Sequence, residues 1–421
     1  MDSILVVGQG YVGLPLAMRA IEVGYQVVGF DVDAARVDRL RNGNSFVEDV
    51  SEETLRGAIS TGRYIVTDDL ADCANFDVAV ITVPTPLRES LPDLSYVETA
   101  ARTVGALVRP GNTVILESTT YPGTTEEIMV PILEAASGLR AGIDFFAGYS
   151  PERIDPGNQT WTFRTTPKVV SGVNTPSLDH VSAFYRTLVD KVIATKGCKE
   201  AELTKLLENT FRHVNVALVN ELAIFATDLD IDIWDAIEAA SSKPFGFMRF
   251  TPGPGVGGHC LPIDPSYLSW RVRQTLGQNF RFVELANDVN DHMPDHVVHR
   301  AVQLLNRERK AVNGSRIVVF GVAYKKNSGD ARESPAVVVS AKLALMGADV
   351  LAVDPHVVEP PRGLGKVALV TSASDADLAN ADLTLILTDH DRFDYAQIVA
   401  NAPLIFDARN RCGVAPNVER L

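Results

Sequence analysis

A single thiol stands in a stretch of sequence that neither a helix nor a strand could accommodate. Residues 252–264 read PGPGVGGHCLPID, with four glycines and three prolines around Cys260. Glycine and proline disfavour regular structure, so we expect a loop that presents this thiol, with the carboxylate of Asp264 four residues further on. A free cysteine is often a small buried residue, but a glycine-rich loop is a poor core element and a good mount for a nucleophile.

A glycine motif near the start of the chain is typical of a dinucleotide site. It follows a predicted strand at 4–7 and opens a predicted helix at 14–23. In such a motif the first glycine permits a tight turn, the second lets a pyrophosphate approach the backbone, and the third lets the helix pack on the strand. The N–H groups at the helix start then face the phosphates. The residues assigned to this turn are Gly8, Gly10, Tyr11, Val12 and Gly13.

The second predicted strand, at 26–30, ends immediately before Asp31. An acidic side chain at this point accepts both ribose hydroxyls and repels a 2′-phosphate, so NAD is favoured over NADP, although the nearby Arg36 weakens that preference. The alternative is a tight glycine turn that holds no ligand. A nicotinamide cofactor and one exposed thiol together predict oxidation of an alcohol to an acid through a thioester on Cys260.

The composition limits the classes of protein to be considered. With 421 residues the chain is too long for one ordinary core, and two or three domains are expected. A formal net charge of −14, from 39 basic and 53 acidic residues, disfavours nucleic acid as a partner. The four cysteines form no CxxC pair, which disfavours a zinc site or a disulfide framework.

The sequence predicts a soluble, cytoplasmic protein without a membrane partner. No apolar run approaches the roughly 20 residues that a membrane span needs. The segment Met1-Asp2-Ser3 has neither the basic region nor the cleavage site of a signal peptide.

Strand and helix patterns alternate in the first third and the last quarter of the chain. Apolar strand patterns lie at 4–7, 26–30, 77–81, 113–116, 317–321, 349–354, 383–388 and 404–407. Between these regions, apolar residues recur at helical spacing from Glu200 to about Ile237 without Pro or Gly, which predicts one long helix. That helix is either an interdomain spine with a dimer surface or a buried core helix. The predicted fold is α/β, with two doubly wound Rossmann-like domains joined by a central helical region that contains the long helix.

Seven motifs in order resemble those of the nucleotide-sugar 6-dehydrogenases, the family of UDP-glucose and UDP-N-acetylhexosamine dehydrogenases. They are GxGxxG at 8–13, VPTP at 83–86, ESTT at 117–120, SPER at 150–153, KLLEN at 205–209, GGHC at 257–260 and DARESP at 330–335. The resemblance implies an NAD-binding domain at 1–198, a central helical dimerisation region with the Cys260 loop at 199–300, and a C-terminal nucleotide-sugar-binding domain at 301–421. It also implies a homodimer that oxidises the sugar C6 hydroxyl to a uronic acid with two NAD per turnover, in polysaccharide biosynthesis.

The resemblance assigns the covalent chemistry to Cys260. Its thiolate would trap the aldehyde from the first hydride transfer as a thiohemiacetal, and loss of a second hydride would give a thioester that water hydrolyses. Lys205 and Asn209, four residues apart on one helix face, would stabilise the oxyanion at C6. The alternative is a solvated helix face on which Glu202 or Glu208 pairs with the lysine.

Further site residues follow from the resemblance alone. Asp264 and Thr119 would orient the hydrolytic water, and Glu152 would assist thioester hydrolysis and contact the substrate. Arg249 would offer charge to the diphosphate, with an ordinary surface arginine as the alternative. The remaining assignments are Pro84, Thr85, Thr119 and Arg332 towards the cofactor, and Arg153, Lys205, Asn209, Phe250, Gly257 and Lys325 towards the substrate.

Departures from the UDP-glucose branch indicate which sugar is bound. That branch often has a second glutamate after the Pro-Glu pair and a lysine after Cys-Leu-Pro, whereas this chain has Asp155-Pro156-Gly157 and Ile263. His259 before the thiol resembles the N-acetylhexosamine branch, so we expect a UDP-N-acetylglucosamine-like substrate, with UDP- or TDP-glucose as the alternative.

Two more distant alternatives are a β-hydroxyacid dehydrogenase and a protein that binds a dinucleotide without turnover. The first would leave the Cys260 loop and the second sheet domain unexplained. The histidines at 292, 296 and 299 lie at helical spacing and suggest a metal, but hydride transfer to NAD needs none. We therefore expect a solvated or interface face there, and no metal.

Overall fold

The computed structural model describes residues 3–47, 49–88, 91–154, 158, 160–258, 261 and 263–421. The chain forms two compact units, the first from Met1–Glu208 and Trp270–Leu276, and the second from Asn209–Ser269 and Gly277–Leu421. Within these described ranges, no helix is both long and apolar enough to cross a membrane.

A largely parallel sheet forms the centre of the first unit. Its strands are β1 (Ser3–Val7), β2 (Gln26–Phe30), β3 (Tyr64–Thr67), β4 (Val78–Ile81), β7 (Thr113–Leu116), β8 (Phe146–Tyr149), β9 (Lys168–Gly172) and β10 (Val192–Ala194), and a separate hairpin is formed by β5 (Leu87–Arg88) and β6 (Leu91–Pro92). The order is β10-β9-β8-β7-β4-β1-β2-β3. Val7 pairs with Phe30 and with Ile81, so the residues that follow these three strands meet at one sheet edge.

A second parallel sheet forms the centre of the second unit. Its strands are β11 (Arg316–Phe320), β12 (Asp349–Val353), β13 (Ala368–Val370), β14 (Leu383–Ile386), β15 (Ile405–Asp407) and β16 (Val418–Arg420), in the order β13-β12-β11-β14-β15-β16. Phe320 pairs with Val353 and Ile386, which is the same register as in the first unit. Both sheets have the strand order of doubly wound folds, with ligand sites expected at the carboxyl ends of the central strands.

The helices lie between the strands and in the middle of the chain. They are α1 (Gly13–Glu22), α2 (Ala34–Arg41), α3 (Glu52–Ser60), α4 (Ser95–Gly105), α5 (Val130–Ser137), α6 (Thr175–Leu188), α7 (Cys198–Asp228), α8 (Ile233–Ser241), α9 (Asp264–Leu276), α10 (Arg281–Arg307), α11 (Pro335–Leu345), α12 (Asp375–Ala379) and α13 (Tyr395–Asn401). A 3₁₀ helix spans Leu70–Cys73, and a π-helical turn at Thr125–Met129 leads into α5.

Apolar side chains from strands and helices fill each core. In the first unit Val6 of β1 belongs to one buried cluster with Leu14 of α1 and Phe184 of α6. In the second unit Val319 of β11 belongs to a cluster with Val297 of α10. This burial explains why the central strands read as continuous apolar runs. The α/β fold and the long central helix predicted from the sequence are confirmed, whereas the two domain boundaries, after residues 198 and 300, stay a prediction.

The long helix is shorter than predicted. The sequence predicts one helix from Glu200 to about Ile237, but α7 ends at Asp228 and α8 starts at Ile233. Asp230 adopts a left-handed conformation with φ of 56°, and the Ile231 N–H reaches back to the Ala226 carbonyl over 2.8 Å. Aspartate tolerates this conformation better than most residues, so it ends the helix without a glycine.

Proline is common in the first turn of a helix, but Pro294 lies elsewhere. Pro294 lies inside α10, where its missing N–H leaves the Asn290 carbonyl without the usual helical hydrogen bond. The glycine-rich loop packs on this turn, since a Cβ on Gly255 would lie 3.1 Å from the Asn290 oxygen. Packing of the loop against this turn therefore offsets the destabilising effect of a proline inside the helix.

We expect Asp232→Ala to lower the free energy of unfolding by about 1 kcal/mol, because Asp232 is the N-cap of α8. Its carboxylate accepts the N–H groups of Trp234 and Asp235 at 3.0 and 3.2 Å. Urea denaturation followed by circular dichroism measures the loss. Asp232→Asn is the control, because asparagine keeps a capping oxygen while removing the ion pair to Arg420. An equal loss in both variants would assign the effect to the ion pair instead of the cap.

Candidate active site

The glycine turn between β1 and α1 has the geometry of a dinucleotide site. Gly8 has φ of +94° and donates its N–H to the Phe30 carbonyl over 2.8 Å. A Cβ on Gly13 would lie 1.9 Å from the Gly8 carbonyl oxygen, so helix and strand pack too closely for any side chain. A Cβ on Gly10, by contrast, would meet no protein atom within 4 Å. The first and third glycines therefore serve the protein itself, and the second faces the space into which a pyrophosphate fits.

The start of α1 suits an anion. Val12 occupies the N-cap position and makes no side-chain capping bond. Backbone N–H groups at such a helix start, reinforced by the helix dipole, bind phosphate. The residues present therefore fit the pyrophosphate of a dinucleotide.

Asp31 follows β2 and is buried at the edge of the turn. It accepts the Gln9 N–H over 2.8 Å and pairs with Arg36 over 2.9 Å. The carboxylate thus links the glycine turn to α2. Arg36, which was expected from the sequence to weaken the preference for NAD, forms its ion pair with this carboxylate.

The ends of β4 and β7 are tied together beside the glycine turn. Ser118 donates its hydroxyl to the Val83 carbonyl over 2.6 Å, which holds the Pro84–Thr85 segment against the start of the Thr119 segment. Thr85 is buried, Thr119 is half-buried and Pro84 is exposed. These three predicted cofactor residues therefore follow neighbouring strands at the carboxyl edge of the first sheet.

Two ion pairs connect α7 to the segment after β8. Lys205 lies 3.4 Å from Glu152, and both side chains are largely buried. Arg153 pairs with Glu208 over 2.7 Å and donates to the Pro167 carbonyl over 2.5 Å. Lys205 thus pairs with Glu152, whereas Glu208 pairs with Arg153. Arg153, predicted to contact the substrate, is engaged by the protein itself.

In the second unit Asn209 and Asp264 are in direct contact. The Asn209 amide donates to the Asp264 carboxylate over 2.5 Å, and both residues are buried. This bond joins α7 to the first residue of α9, directly after the glycine-rich loop. The residue that follows the loop is therefore fixed to α7 by a side-chain hydrogen bond.

The described part of the glycine-rich loop is anchored at several points. Asn220 accepts the Gly253 N–H over 2.9 Å, and the Arg332 carbonyl accepts the Gly258 N–H over 3.0 Å. A Cβ on Gly257 would lie 2.7 Å from the Glu333 carbonyl oxygen, so this glycine is needed for close packing. Cys260, His259 and Pro262 lie outside the described residues, as do Asp155, Pro156 and Gly157.

The basic residues predicted to face the substrate differ in their surroundings. Arg249 is exposed and lies 3.4 Å from Glu238, and the ring of Phe250 packs edge-on against Phe211 at 5.8 Å. Lys325 is half-buried in the turn after β11. The exposed Arg332 pairs with Asp330 over 2.5 Å, while its carbonyl holds the loop.

The contacts of three buried or half-buried polar residues at these sites were not predicted from the sequence. Glu202 accepts N–H groups from the segment after Thr119, Asn220 anchors Gly253, and Arg409 lies with its guanidinium against Gly253 while donating to the Leu387 carbonyl over 2.8 Å. Each contact joins residues far apart in the sequence, so no local pattern signals it. Arg409 is the exception among these three, because it lies two residues after a strand that ends in Asp407, close to the carboxyl edge of the second sheet.

The three histidines of α10 do not share one environment. His292 and His299 are exposed, whereas burial lowers the pKa of the half-buried His296 to about 4. Among the residues described, no cluster of His, Cys, Asp and Glu side chains is arranged to hold a metal ion.

A Rossmann unit whose glycine turn fits a pyrophosphate, followed by a helical region and a second doubly wound sheet, is typical of a dinucleotide-binding protein. Three models of the UDP-glucose/GDP-mannose dehydrogenase family match the chain: the NAD-binding domain at residues 2–189, the central domain at 199–292 and the UDP-binding domain at 318–413. The chain belongs to this family. The family, the NAD cofactor and the class of enzyme predicted from the sequence, a nucleotide-sugar dehydrogenase that acts on a CH–OH group, are confirmed.

Relatives match over most of their length. UDP-N-acetyl-D-glucosamine 6-dehydrogenase of Pseudomonas aeruginosa is 39% identical over 359 residues, covering 84% of this chain and 83% of that protein. UDP-N-acetyl-D-mannosamine dehydrogenase of Pyrococcus horikoshii is 35% identical over 391 residues, covering 93% and 90%. A solved structure of the Pyrococcus horikoshii UDP-D-ManNAc dehydrogenase superimposes with a TM-score of 0.89 at 32% identity, over 99% of this chain and 98% of that one.

Substitutions at two glycines separate cofactor binding from folding. We expect Gly10→Ala to weaken NAD binding roughly tenfold or more by blocking the pyrophosphate, with the thermal midpoint of the NAD-free protein unchanged. Gly13→Ala is the matched variant. Its Cβ would overlap the Gly8 carbonyl, so it should destabilise the fold by about 1–3 kcal/mol.

Isothermal titration calorimetry with NAD and thermal unfolding without it measure the two effects. If Gly10→Ala kept wild-type NAD affinity, the assignment of the pyrophosphate to this turn would be rejected. A Gly13→Ala variant as stable as the wild type would contradict the packing role of the third glycine.

Proposed function

We propose that this protein oxidises the C6 hydroxyl of a UDP-N-acetylhexosamine to the uronic acid in two hydride transfers. A thiohemiacetal on Cys260 forms between the two transfers, and the second transfer gives a thioester on Cys260 that water hydrolyses. The substrates named for the relatives above support an N-acetylhexosamine, as does His259 before the thiol. UDP- or TDP-glucose is the alternative substrate. Residues 1–198, 199–300 and 301–421 are proposed as the NAD-binding, central and nucleotide-sugar-binding domains.

One observation carries the proposal for the site: two polar pairs are built around a single face of α7. Lys205 pairs with Glu152 and, one helical turn later, Asn209 bonds Asp264. Both pairs are largely buried, and buried polar groups are costly unless they are matched. Such pairs keep a cation and an amide at fixed spacing, as stabilisation of an oxyanion requires.

The chemistry divides between the cofactor and the chain. NAD, when bound, supplies the hydride acceptor. We assign Lys205 and Asn209 to the oxyanion at C6, Asp264 and Thr119 to the hydrolytic water, and Glu152 to thioester hydrolysis. Arg249, Phe250, Gly257, Lys325 and Arg153 are proposed for the substrate, and Arg332 for the cofactor.

The other three thiols are unsuited to act as the nucleophile. Burial raises the pKa of Cys198 to about 12, that of Cys412 to about 12 and that of Cys73 to about 11. A thiolate, not a thiol, attacks an aldehyde, so these raised pKa values disfavour all three as the nucleophile near neutral pH. This supports Cys260 as the covalent residue.

The proposed reaction requires two NADH for each nucleotide sugar. We expect UDP-N-acetylglucosamine or UDP-N-acetylmannosamine to give this ratio by absorbance at 340 nm, with the uronate identified by mass spectrometry. UDP-N-acetylgalactosamine, UDP-glucose and TDP-glucose complete the panel. Cys260→Ala should lose acid formation entirely, because no thioester can form.

Cys198→Ala is the matched control and should keep the ratio, because the buried thiol has no role in the reaction. A ratio of one NADH would favour a β-hydroxyacid type of oxidation. Turnover of none of the five sugars, or wild-type acid yield from Cys260→Ala, would reject the proposal.

We also propose that two copies associate through α7. Along this helix, large apolar side chains recur on the exposed surface at helical spacing: Leu203, Leu207, Phe211, Leu218, Leu222 and Phe225. Exposed apolar stripes of this length mark association surfaces. The cytoplasmic location stays a prediction from the sequence.

We expect the double variant Leu218→Glu with Leu222→Glu to convert a homodimer into a monomer, because two buried charges at an apolar interface oppose association. Light scattering after size-exclusion chromatography measures the mass. Leu345→Glu, which changes a more exposed leucine at the end of α11, should leave the mass unchanged. A wild-type protein that is already monomeric, or a double variant that stays dimeric, would remove α7 from the interface.

A further inference from the structure

Glu202 is a carboxylate on α7 that is completely buried. One of its oxygens accepts the Gly123 N–H over 2.5 Å. The other accepts both the N–H and the hydroxyl of Thr125, over 2.8 and 2.7 Å. Three donors from one short segment therefore converge on a single side chain that is 77 to 79 residues away in the sequence.

The segment that Glu202 holds is the one that carries Thr119. It leaves the sheet after β7, passes through Ser118 and Thr119, and enters the π-helical turn at Thr125–Met129. Thr124, at the N-cap of that turn, makes no side-chain capping bond. Glu202 thus supplies, from another helix, the acceptor that a helix start needs.

The same helix face carries Lys205, one turn further on. Residues three apart on a helix are neighbours, so the carboxylate that docks the Thr119 segment and the ammonium that pairs with Glu152 are set by one backbone. Ser118 anchors the other end of the segment to Val83. Thr119 therefore lies in a short stretch that is held at both ends.

We infer that Glu202 is a positioning residue, which docks the Thr119 segment onto α7 and so sets the placement of Thr119 relative to Lys205 during the reaction. This inference rests on the roles proposed above for those two residues. Glu202 touches neither substrate nor cofactor in this assignment and acts only through the segment that it holds.

The ionisation of Glu202 provides a measurable signal, a pH dependence of kcat, that a purely structural role of this residue would not produce. Burial raises the pKa of Glu202 to about 7, against the lowering effect of the bonds from Thr125 and Gly123. The titratable groups that interact with it are Glu126 on the π-helical turn, Tyr121 in the segment and Cys198 on α7. As the pH falls through about 7, the Glu202 carboxylate becomes protonated. It then has fewer acceptor sites for the three donor groups of Gly123 and Thr125.

The test is a pH profile of kcat with UDP-N-acetylglucosamine and NAD for the wild type and Glu202→Gln. A glutamine keeps one acceptor oxygen for Thr125 but turns an N–H₂ group towards the Gly123 N–H. We expect kcat at pH 8.5 to fall roughly ten- to hundredfold, with KM for the nucleotide sugar within about threefold of the wild type, because displacing a reacting group by about 1 Å costs on this scale. The ionisation near pH 7 should be absent from the Glu202→Gln profile.

Thr125→Val is the second variant, in case Glu202→Gln fails to fold. It removes one of the three donors without changing the shape of the side chain, and we expect kcat to fall roughly three- to tenfold. Glu200→Gln, an exposed position on α7, is the matched control and should keep wild-type kcat and the wild-type pH profile. Circular dichroism and NAD affinity check that each variant is folded.

Thr119→Ala and Lys205→Ala test the proposed roles of these two residues separately from the inference about Glu202. If both keep wild-type kcat, the proposed roles of these residues fail. If both lose activity while Glu202→Gln and Thr125→Val keep wild-type kcat and an unchanged pH profile, only the inference about Glu202 is overturned. An equal rise of KM for NAD and for the sugar, with kcat unchanged, would also overturn it.

Discussion

The helical repeat of α7 is the constraint on which the proposed site depends. Glu202, Lys205 and Asn209 are spaced by three and four residues, so one rigid backbone sets the distances among a carboxylate, an ammonium and an amide. Each of the three reaches a different segment of chain: Glu202 the segment after β7, Lys205 the segment after β8, and Asn209 the start of α9. The contacts of Glu202 and Lys205 lie within the first unit, and that of Asn209 lies within the second.

Because burying a charge is costly, each buried carboxylate discussed here is paired with particular donor groups. The chain carries a net charge of −14, yet the carboxylates within its core are matched to donors. Glu117 at the end of β7 bonds both Lys168 and Tyr185, and all three are buried. Removing one member of such a group leaves an uncompensated charge, which costs more than the pair contributes. The carboxyl edge of the first sheet is thus held by bonds that tolerate little rearrangement.

The parts that could be predicted from the sequence are those set by local sterics. The roles of Gly8 and Gly13 follow from backbone conformation and close packing, and strand positions follow from apolar runs, so both agree with the structure. The break after α7 could not be predicted, because the left-handed Asp230 has no glycine to signal it. Nor could the partners of Glu202, since its donors lie 77 to 79 residues away and nothing local selects them over Lys205. Local rules determine elements, whereas the choice of partner is made by tertiary packing.

The second unit repeats the turn of the first with a different outcome. Gly321, with φ of +82°, donates its N–H to the Val353 carbonyl over 2.8 Å, as Gly8 does to Phe30. Asp354 then accepts the N–H groups of the turn, as Asp31 does. Burial alone would raise the pKa of Asp354, but the bonds from His390 and the backbone outweigh it and lower the pKa to about 2. Because an internal histidine and backbone groups occupy this carboxylate, it cannot also accept ribose hydroxyls. The turn therefore fits a pyrophosphate in the first unit, whereas the acidic residue of the equivalent turn in the second unit is bound by the protein itself.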